Sequence, residues 1–214
     1  MKWPIFLLSL LIFSCSDKKE KVNNSHLPEK PGPSVMERKP QPENTALDSW
    51  VSYYKKTNPY FSADKFALSN TSAITYYPSN VKVMNEEGFN EIYKPFFVFN
   101  ESKTHYLDFD SYQWKIAADR SASFEADQEV ALVDYKNKTA QRIAFFGPSF
   151  TVEEAYWKGD SVAVLLGNSY EKVPFIMKYN FRKKMVQNLQ YPDTLKFDIP
   201  YSNVRLQRFG IKTE

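Results

Sequence analysis

Residues 129–146 read EVALVDYKNKTAQRIAFF, and this stretch decides the fold class. Two runs rich in aliphatic and aromatic side chains, 129–135 and 141–146, flank the polar segment Lys136-Asn137-Lys138-Thr139. Strand-forming residues on both sides of a short polar turn predict an antiparallel β-hairpin. Gly147-Pro148 follows, and the second strand is expected to end there because proline cannot donate a hydrogen bond to a strand ladder.

The same rhythm of apolar run, polar turn and apolar run extends in both directions from this hairpin. Further strands are predicted at 81–84, 96–99, 105–109, 112–116, 152–157, 161–166, 175–181 and 185–189. The turns between paired runs are polar and mostly charged, and Arg182-Lys183-Lys184 is expected to be a solvated hairpin tip. Aromatic residues make up 16% of the chain against only 6 glycines, a composition that favours strands.

One helix is expected before the strands. Asn44 or Thr45 can cap its first turn, and an apolar face then recurs at helical spacing. Asn58-Pro59 ends the helix, since the residue before proline avoids the helical region. A second short helical turn is predicted at 62–68. The residues of the apolar face are Leu47, Trp50, Val51 and Tyr54.

These elements predict a mainly β protein: an open, twisted antiparallel meander or a two-sheet sandwich, with one N-terminal helix. Hairpins recurring about every 20 residues resemble the blades of a β-propeller, but the chain is too short to close one. Residues 96–114 with 129–134 also resemble uncharacterised lipoproteins of the Bacteroidota, a likeness that implies no particular activity.

The first fourteen residues have the organisation of an export signal. Lys2 provides the positive start, and the apolar run 5–13 has about half the 20 residues that a membrane-spanning helix needs. Ile12-Phe13-Ser14-Cys15 resembles the lipobox of bacterial lipoproteins, although Phe13 is larger than usual there. The alternative is a chance cysteine at the end of an ordinary secretory signal.

The resemblance implies that Cys15, the only cysteine, carries acyl chains such as palmitate and anchors the protein to a membrane. Ser16 follows it, which favours the outer membrane by the enterobacterial sorting rule, on its periplasmic or surface face. Residues 15–44 are charged and proline-rich and predict a disordered tether. The predicted organisation is therefore a signal peptide at 1–14, a lipidated tether at 15–44 and one β-rich domain at 45–214.

The sequence lacks the residues that several catalytic mechanisms require. The domain holds a single histidine, His105, and no cysteine, whereas zinc sites and nucleophilic triads need several such groups. No Gly-rich nucleotide loop is present, and no cofactor is expected. The net charge of +3 is not arranged as a basic stripe with interleaved aromatics, so no nucleic-acid partner is expected.

Two carboxylate pairs and a set of aromatic residues remain as candidates. Asp108 with Asp110, and Asp127 with Glu129, are two residues apart and would share a strand face at the separation of an inverting glycosidase or an oxygen-rich cation site. The alternative is an Asx turn for the first pair and the polar start of a buried strand for the second. Four aromatic residues could stack against sugars or could form core. They are Tyr112, Trp114, Tyr156 and Trp157.

The expected function is that of a membrane-anchored envelope lipoprotein that acts as a non-catalytic interaction or assembly module. The ligand-binding candidates are Asp108, Asp110, Tyr112, Trp114 and Trp157, with no metal site. The alternative is a carbohydrate-binding surface lipoprotein, and a carboxylate-dependent hydrolase is a third candidate. The partners would be the membrane, through Cys15, and an envelope protein or glycan.

Overall fold

The computed structural model describes residues 43–213, which fall within one compact unit of the chain. The predicted signal peptide, the predicted lipidation at Cys15 and the predicted tether up to residue 42 lie outside the described residues. No helix within the described range is long and apolar enough to cross a bilayer.

Helices are few and strands are many. Helix α1 spans Glu43–Lys55 and α2 spans Tyr201–Gln207, and two 3-10 turns cover Ala63–Lys65 and Glu91–Phe96. The strands are β1 Ala67–Ala73, β2 Tyr77–Pro78, β3 Val98–Phe99, β4 His105–Asp108, β5 Trp114–Ile116, β6 Ser121–Phe124, β7 Gln128–Asp134, β8 Thr139–Phe146, β9 Phe150–Lys158, β10 Val162–Ser169, β11 Pro174–Asn180, β12 Met185–Gln190 and β13 Lys212–Thr213.

The strands form two five-stranded sheets and one small sheet. The first sheet has the order β1-β12-β11-β10-β9, the second has the order β2-β8-β7-β4-β3, and the third has the order β13-β6-β5. Among these strands only the β13–β6 pair is parallel. The prediction of a mainly β, open antiparallel arrangement with one N-terminal helix is confirmed.

The central core lies between the two large sheets and results from the alternation of side chains along each strand. In β10, Ala163 and Leu165 join the central core, whereas Val164 and Leu166 face α1. The second sheet behaves in the same way, because Val130 of β7 points into the central core. Ala131 and Val133 of the same strand point the other way and pack under the segment 81–97 on the outer face.

Gln128 fastens the two large sheets to each other. Its Nε2 donates to the Val152 carbonyl at 3.0 Å and to the Phe109 carbonyl at 2.9 Å. Its Oε1 accepts from the Val152 amide at 2.7 Å. The buried side chain therefore imitates a backbone ladder between β7 and β9, and no polar group of this amide goes unpaired.

The predicted hairpins are present, and some smaller elements differ from prediction. The 129–146 hairpin is β7–β8, and the 62–68 segment forms a 3-10 turn followed by β1. The predicted strand at 81–84 is wrong: these residues form an irregular segment, and Val83 and Met84 are buried because they cover the outer face of the second sheet. Helix α2 and strands β1, β2, β6 and β13 are additional elements.

Glycine is required at one position of β10. A β-bulge interrupts the β9–β10 pairing between Leu166 and Gly167, and Glu153 is the extra residue on β9. A Cβ on Gly167 would overlap the Thr151 carbonyl oxygen and lie 2.5 Å from Cζ of Phe175. The bulge thus brings backbone and an aromatic ring against a residue that must lack a side chain.

We expect Gly167→Ala to lower the free energy of unfolding by about 2 kcal/mol, because the added methyl group overpacks a rigid backbone contact. Urea denaturation followed by tryptophan fluorescence measures the change. Gly147→Ala is the matched control, since its Cβ would meet only Asp127 Oδ1 at 3.8 Å. Equal stabilities of the two variants would contradict this explanation.

Candidate functional site

The first carboxylate candidate, Asp108, is buried and holds a turn. It ends β4, and its Oδ1 accepts from the amides of Asp110 at 3.2 Å and Ser111 at 3.0 Å. The Ser111 hydroxyl donates to its other oxygen. This is the Asx turn that the sequence offered as the structural alternative.

Burial raises the pKa of Asp108 to about 6, and the neighbouring Asp110 carboxylate adds to the increase. The hydrogen bonds from Ser111 oppose that increase but do not offset it. Asp108 is therefore a carboxyl group that titrates well above its usual range, enclosed in protein rather than facing a cleft.

The second candidate, Asp110, forms a buried ion pair with Arg205 of α2. The two guanidinium nitrogens donate to its two oxygens at 2.9 and 2.6 Å, and each side chain is only 2% exposed. Arg205 also lies over the ring of Phe109, 4.9 Å from its centroid. A bidentate pair of this kind uses both oxygens of the carboxylate and fixes α2 to the turn after β4.

A third buried carboxylate, Glu153 on the β9 bulge, was not a candidate from sequence. Four donors surround it, and all of them are uncharged, so burial raises its pKa. The backbone carbonyl of the same residue accepts from Arg205 Nε at 2.8 Å. The donors are Trp50 Nε1 at 2.8 Å, Tyr54 hydroxyl at 2.7 Å, Asn168 Nδ2 at 2.8 Å and the Tyr201 amide at 3.1 Å.

The two residues of the other acidic pair, Asp127 and Glu129, differ in burial. Glu129 is fully buried, and it accepts hydrogen bonds from the Ser79 hydroxyl and from the amide and side chain of Asn80. Asp127 is half-buried. Among the described residues, no group of three or more His, Cys, Asp or Glu side chains is placed to hold a metal ion.

Three of the four aromatic candidates lie in the core, and one of them, Tyr156, is 4% exposed in the cluster that packs against α1. Trp157 is 8% exposed, belongs to the central core and donates from Nε1 to the Val98 carbonyl at 2.9 Å. Trp114 is 4% exposed and packs in a smaller cluster with Phe96 and Leu206. Both indoles therefore occupy the structural position that the sequence left open as the alternative to sugar stacking.

Tyr112 lies in a different environment, at the end of a row of partly exposed side chains. Tyr77 of β2 and Arg142 of β8 are direct cross-strand partners, with the guanidinium 5.3 Å from the Tyr77 centroid. The same guanidinium lies 5.1 Å from the Phe145 centroid, and the Phe145 ring meets Tyr112 edge-on at 5.9 Å. We call these four residues the aromatic–arginine surface.

Two rings of this surface are exposed to solvent, and its arginine has no ion-pair partner among the described residues. Tyr77 is 52% exposed and Phe145 is 44% exposed. Arg142 is half-buried and forms no ion pair with a described residue, and its Nε is enclosed without a hydrogen-bond partner among them. An arginine held between two rings keeps its charge in one place, ready for an acceptor on another molecule.

A groove of about 320 Å³ adjoins Tyr112. Its polar lining offers two lysines, Lys82 and Lys115, which are both exposed and form no ion pair with a described residue. A second depression of about 480 Å³ beside β5 and β6 shares Tyr93 and Lys115 with it. The remaining lining residues of the first groove are Asn80, Val81, Gly88, Phe89, Asn90, Tyr93, Ser111 and Tyr112.

Sequence reasoning identified Tyr112 but missed the other members of the aromatic–arginine surface. One signal was available: Phe145 and Phe146 are adjacent in a strand, so they must point to opposite faces. Phe146 packs against the central core, which leaves Phe145 on the outer face. The position of Tyr77 beside Arg142 depends on β2, whose two residues carry no strand signal of their own.

Comparison with protein families, with curated proteins and with solved structures gives no match for this chain.

The raised pKa of Asp108 predicts a specific pH dependence of stability. Protonated Asp108 is favoured in the folded state, so its stabilising contribution is complete below the unfolded value of 3.8 and is lost as the pH rises through about 6. We expect Asp108→Asn to remove this component, because the amide keeps the turn without titrating. Unfolding free energies measured at several pH values between these limits should therefore show a shallower decline in the variant. Parallel curves for the two proteins would contradict the assignment.

Proposed function

We propose that this chain is a lipid-anchored protein of the bacterial cell envelope whose β-rich domain is a non-catalytic interaction module. The membrane anchor is inferred from the lipobox-like segment ending at Cys15. The interaction module is inferred from the aromatic–arginine surface. The observation that carries it is the Arg142 guanidinium, which lies between the exposed rings of Tyr77 and Phe145 and forms no ion pair within the described range.

The residue types of this surface support a protein partner. Aromatic side chains and arginine are enriched where proteins bind one another, and they supply most of the binding energy in such contacts. The surface lies toward the β8 side of the second sheet, where β2 covers only Gln141 and Arg142. A partner that places a carboxylate against Arg142 and apolar groups against Phe145 would satisfy both features.

The placement of the carboxylates supports a non-catalytic role. Asp108, Asp110, Glu129 and Glu153 are buried, and hydrogen bonds within the fold occupy each of them. A glycoside hydrolase instead needs two carboxyl groups that face a bound sugar from opposite sides. Here, the acidic groups hold turns and helices in place.

The alternative function is carbohydrate binding in the Tyr112 groove. Its volume suits a small ligand, and Tyr112 and Phe89 offer aromatic faces beside the amide side chains of Asn80 and Asn90. Lys82 and Lys115 would favour a sugar that carries a negative charge. This alternative uses Tyr112, whereas the protein-binding proposal depends on Arg142 and Phe145.

The proposed anchor predicts the behaviour of Cys15→Ala. We expect this variant to lose labelled palmitate and to move from the membrane fraction to the soluble fraction, since stable anchoring needs the acyl chains together. Metabolic labelling and fractionation in a bacterial host measure both effects, with Ser16→Ala as the control. Unchanged membrane partitioning of Cys15→Ala would show that the anchor lies elsewhere.

The proposed interaction predicts where a partner can be crosslinked. A photo-reactive amino acid at position 145 should give one discrete adduct with an envelope protein in intact cells, and Arg142→Ala should abolish it. The same probe at Tyr60, which is 83% exposed and lies beside Tyr191 on the α1 side of the first sheet, should give none.

Adducts of equal yield at both positions, or an adduct that persists in Arg142→Ala, would contradict the proposal. Retardation in a polysaccharide gel that Tyr112→Ala abolishes, without any adduct at position 145, would favour the carbohydrate alternative instead.

A further inference from the structure

Four hairpin tips lie together at one end of the two large sheets. In the second sheet, His105 at the start of β4 pairs with Asp134 at the end of β7, so the β3–β4 and β7–β8 turns share an end. In the first sheet, Val162 pairs with both Lys158 and Asn180, so the β9–β10 and β11–β12 turns share an end. The Ser102 amide donates to Asp160 Oδ1 at 2.7 Å and joins the two groups.

The charges at these tips are strongly unequal. Residues 101–105, 134–139, 158–161 and 181–184 hold seven Lys or Arg residues against three Asp or Glu residues. This end therefore has an excess of four positive charges, although the whole chain has a net charge of only +3. We call it the basic end. Its cations are Lys103, Lys136, Lys138, Lys158, Arg182, Lys183 and Lys184, all exposed.

The acidic residues of the basic end are partly engaged within the tips. Asp134 accepts from the amide and side chain of Asn137 at 2.9 and 2.7 Å, and these hydrogen bonds lower its pKa. The hydrogen bonds from Ser102 lower the pKa of Asp160. His105 contacts Asp134, with Nε2 3.7 Å from Oδ2. These carboxylates fix the turns, and the lysines of the same tips are exposed.

Lysine occupies backbone positions at the basic end that disfavour it. Lys103, Lys138 and Lys184 have φ angles of 55°, 53° and 53°, in the left-handed region where glycine or asparagine is the unstrained choice. In the fourth tip the corresponding residue is a glycine, Gly159, with φ 60°. These lysines therefore hold their positions at some cost in backbone energy.

Lys172 provides a contrast in the same backbone conformation. It has φ 62°, and its Nζ donates to the Phe197 carbonyl at 2.7 Å, so the fold itself uses its side chain. Lys103, Lys138 and Lys184 have no described side-chain partner. Their charge is therefore available to something outside the described fold.

We propose that the basic end docks on the anionic face of a phospholipid bilayer. A cluster of exposed lysines and arginines binds anionic headgroups through the surface potential. Lysine is depleted in protein–protein interfaces, which argues against a protein as the occupant of this end. This inference is independent of the aromatic–arginine surface and of acylation at Cys15, because it concerns only the folded domain.

The test measures co-sedimentation of the full chain with vesicles, and every form carries Cys15→Ser so that no acyl chain contributes. We expect binding to an equimolar mixture of phosphatidylcholine and phosphatidylglycerol at low salt. Binding should fall to the level of pure phosphatidylcholine vesicles at high salt, because salt screens exposed charges.

The decisive variant is the triple change Lys103→Asn, Lys138→Asn and Lys184→Asn. Its binding to the anionic vesicles should fall by about a hundredfold, from the loss of three basic contacts. Its thermal stability should be equal or higher, since asparagine tolerates the left-handed conformation. The matched control is Lys55→Asn, Lys196→Asn and Lys212→Asn, with the same change in charge away from the tips, and it should bind as the parent does.

Three results would overturn the proposal. They are equal binding to both kinds of vesicle, full binding by the tip variant, and an equal loss in the control variant. Stronger binding to a short duplex DNA than to the anionic vesicles would also overturn it, since the end would then recognise nucleic-acid phosphates.

Discussion

Burial of the Glu153 carboxylate is the constraint on which much of the structure depends. A desolvated carboxylate is costly unless its oxygens accept hydrogen bonds, so every donor around it must be in position at once. Those donors fix both helices against the first sheet, and Arg205 then extends the network to Asp110 beside the second sheet. One continuous set of buried polar contacts thereby determines how helices and sheets meet. It links Trp50 and Tyr54 of α1, Asn168 of β10, and Tyr201 and Arg205 of α2.

The strands that could be predicted from sequence are those that alternate or lie buried. The β7–β8 hairpin has long apolar runs and a polar turn, and both signals are local. Strand β1 could not be found in this way, because it is exposed along its whole length and pairs only as an edge strand. Residues 81–84 have the composition of a strand, but they form an irregular segment that packs on the outer face of the second sheet. The site was less predictable than the fold, since Arg142 meets Tyr77 only through a two-residue strand and Asp110 meets Arg205 across 95 positions.

Acidic and basic side chains differ in their burial in this fold. Several acidic side chains lie inside, where they organise turns and helices, while the lysines and arginines of the hairpin tips lie outside. Arg142 is an intermediate case, a half-buried cation stacked between rings on the outer face of the second sheet. This division is consistent with the proposed binding role, because the buried acids organise the fold while cations and aromatics lie at its surface.

The placement of Arg205 has a consequence for how the protein is made. Arg205 is the buried partner of both the Asp110 carboxylate and the Glu153 carbonyl. These buried hydrogen bonds therefore cannot form until the ribosome has synthesised nearly the whole described domain. Contacts between such distant positions also slow folding, because a large loop must close before they can form. The packing around Asp110 and Glu153 is therefore completed only late in synthesis, once α2 has been made.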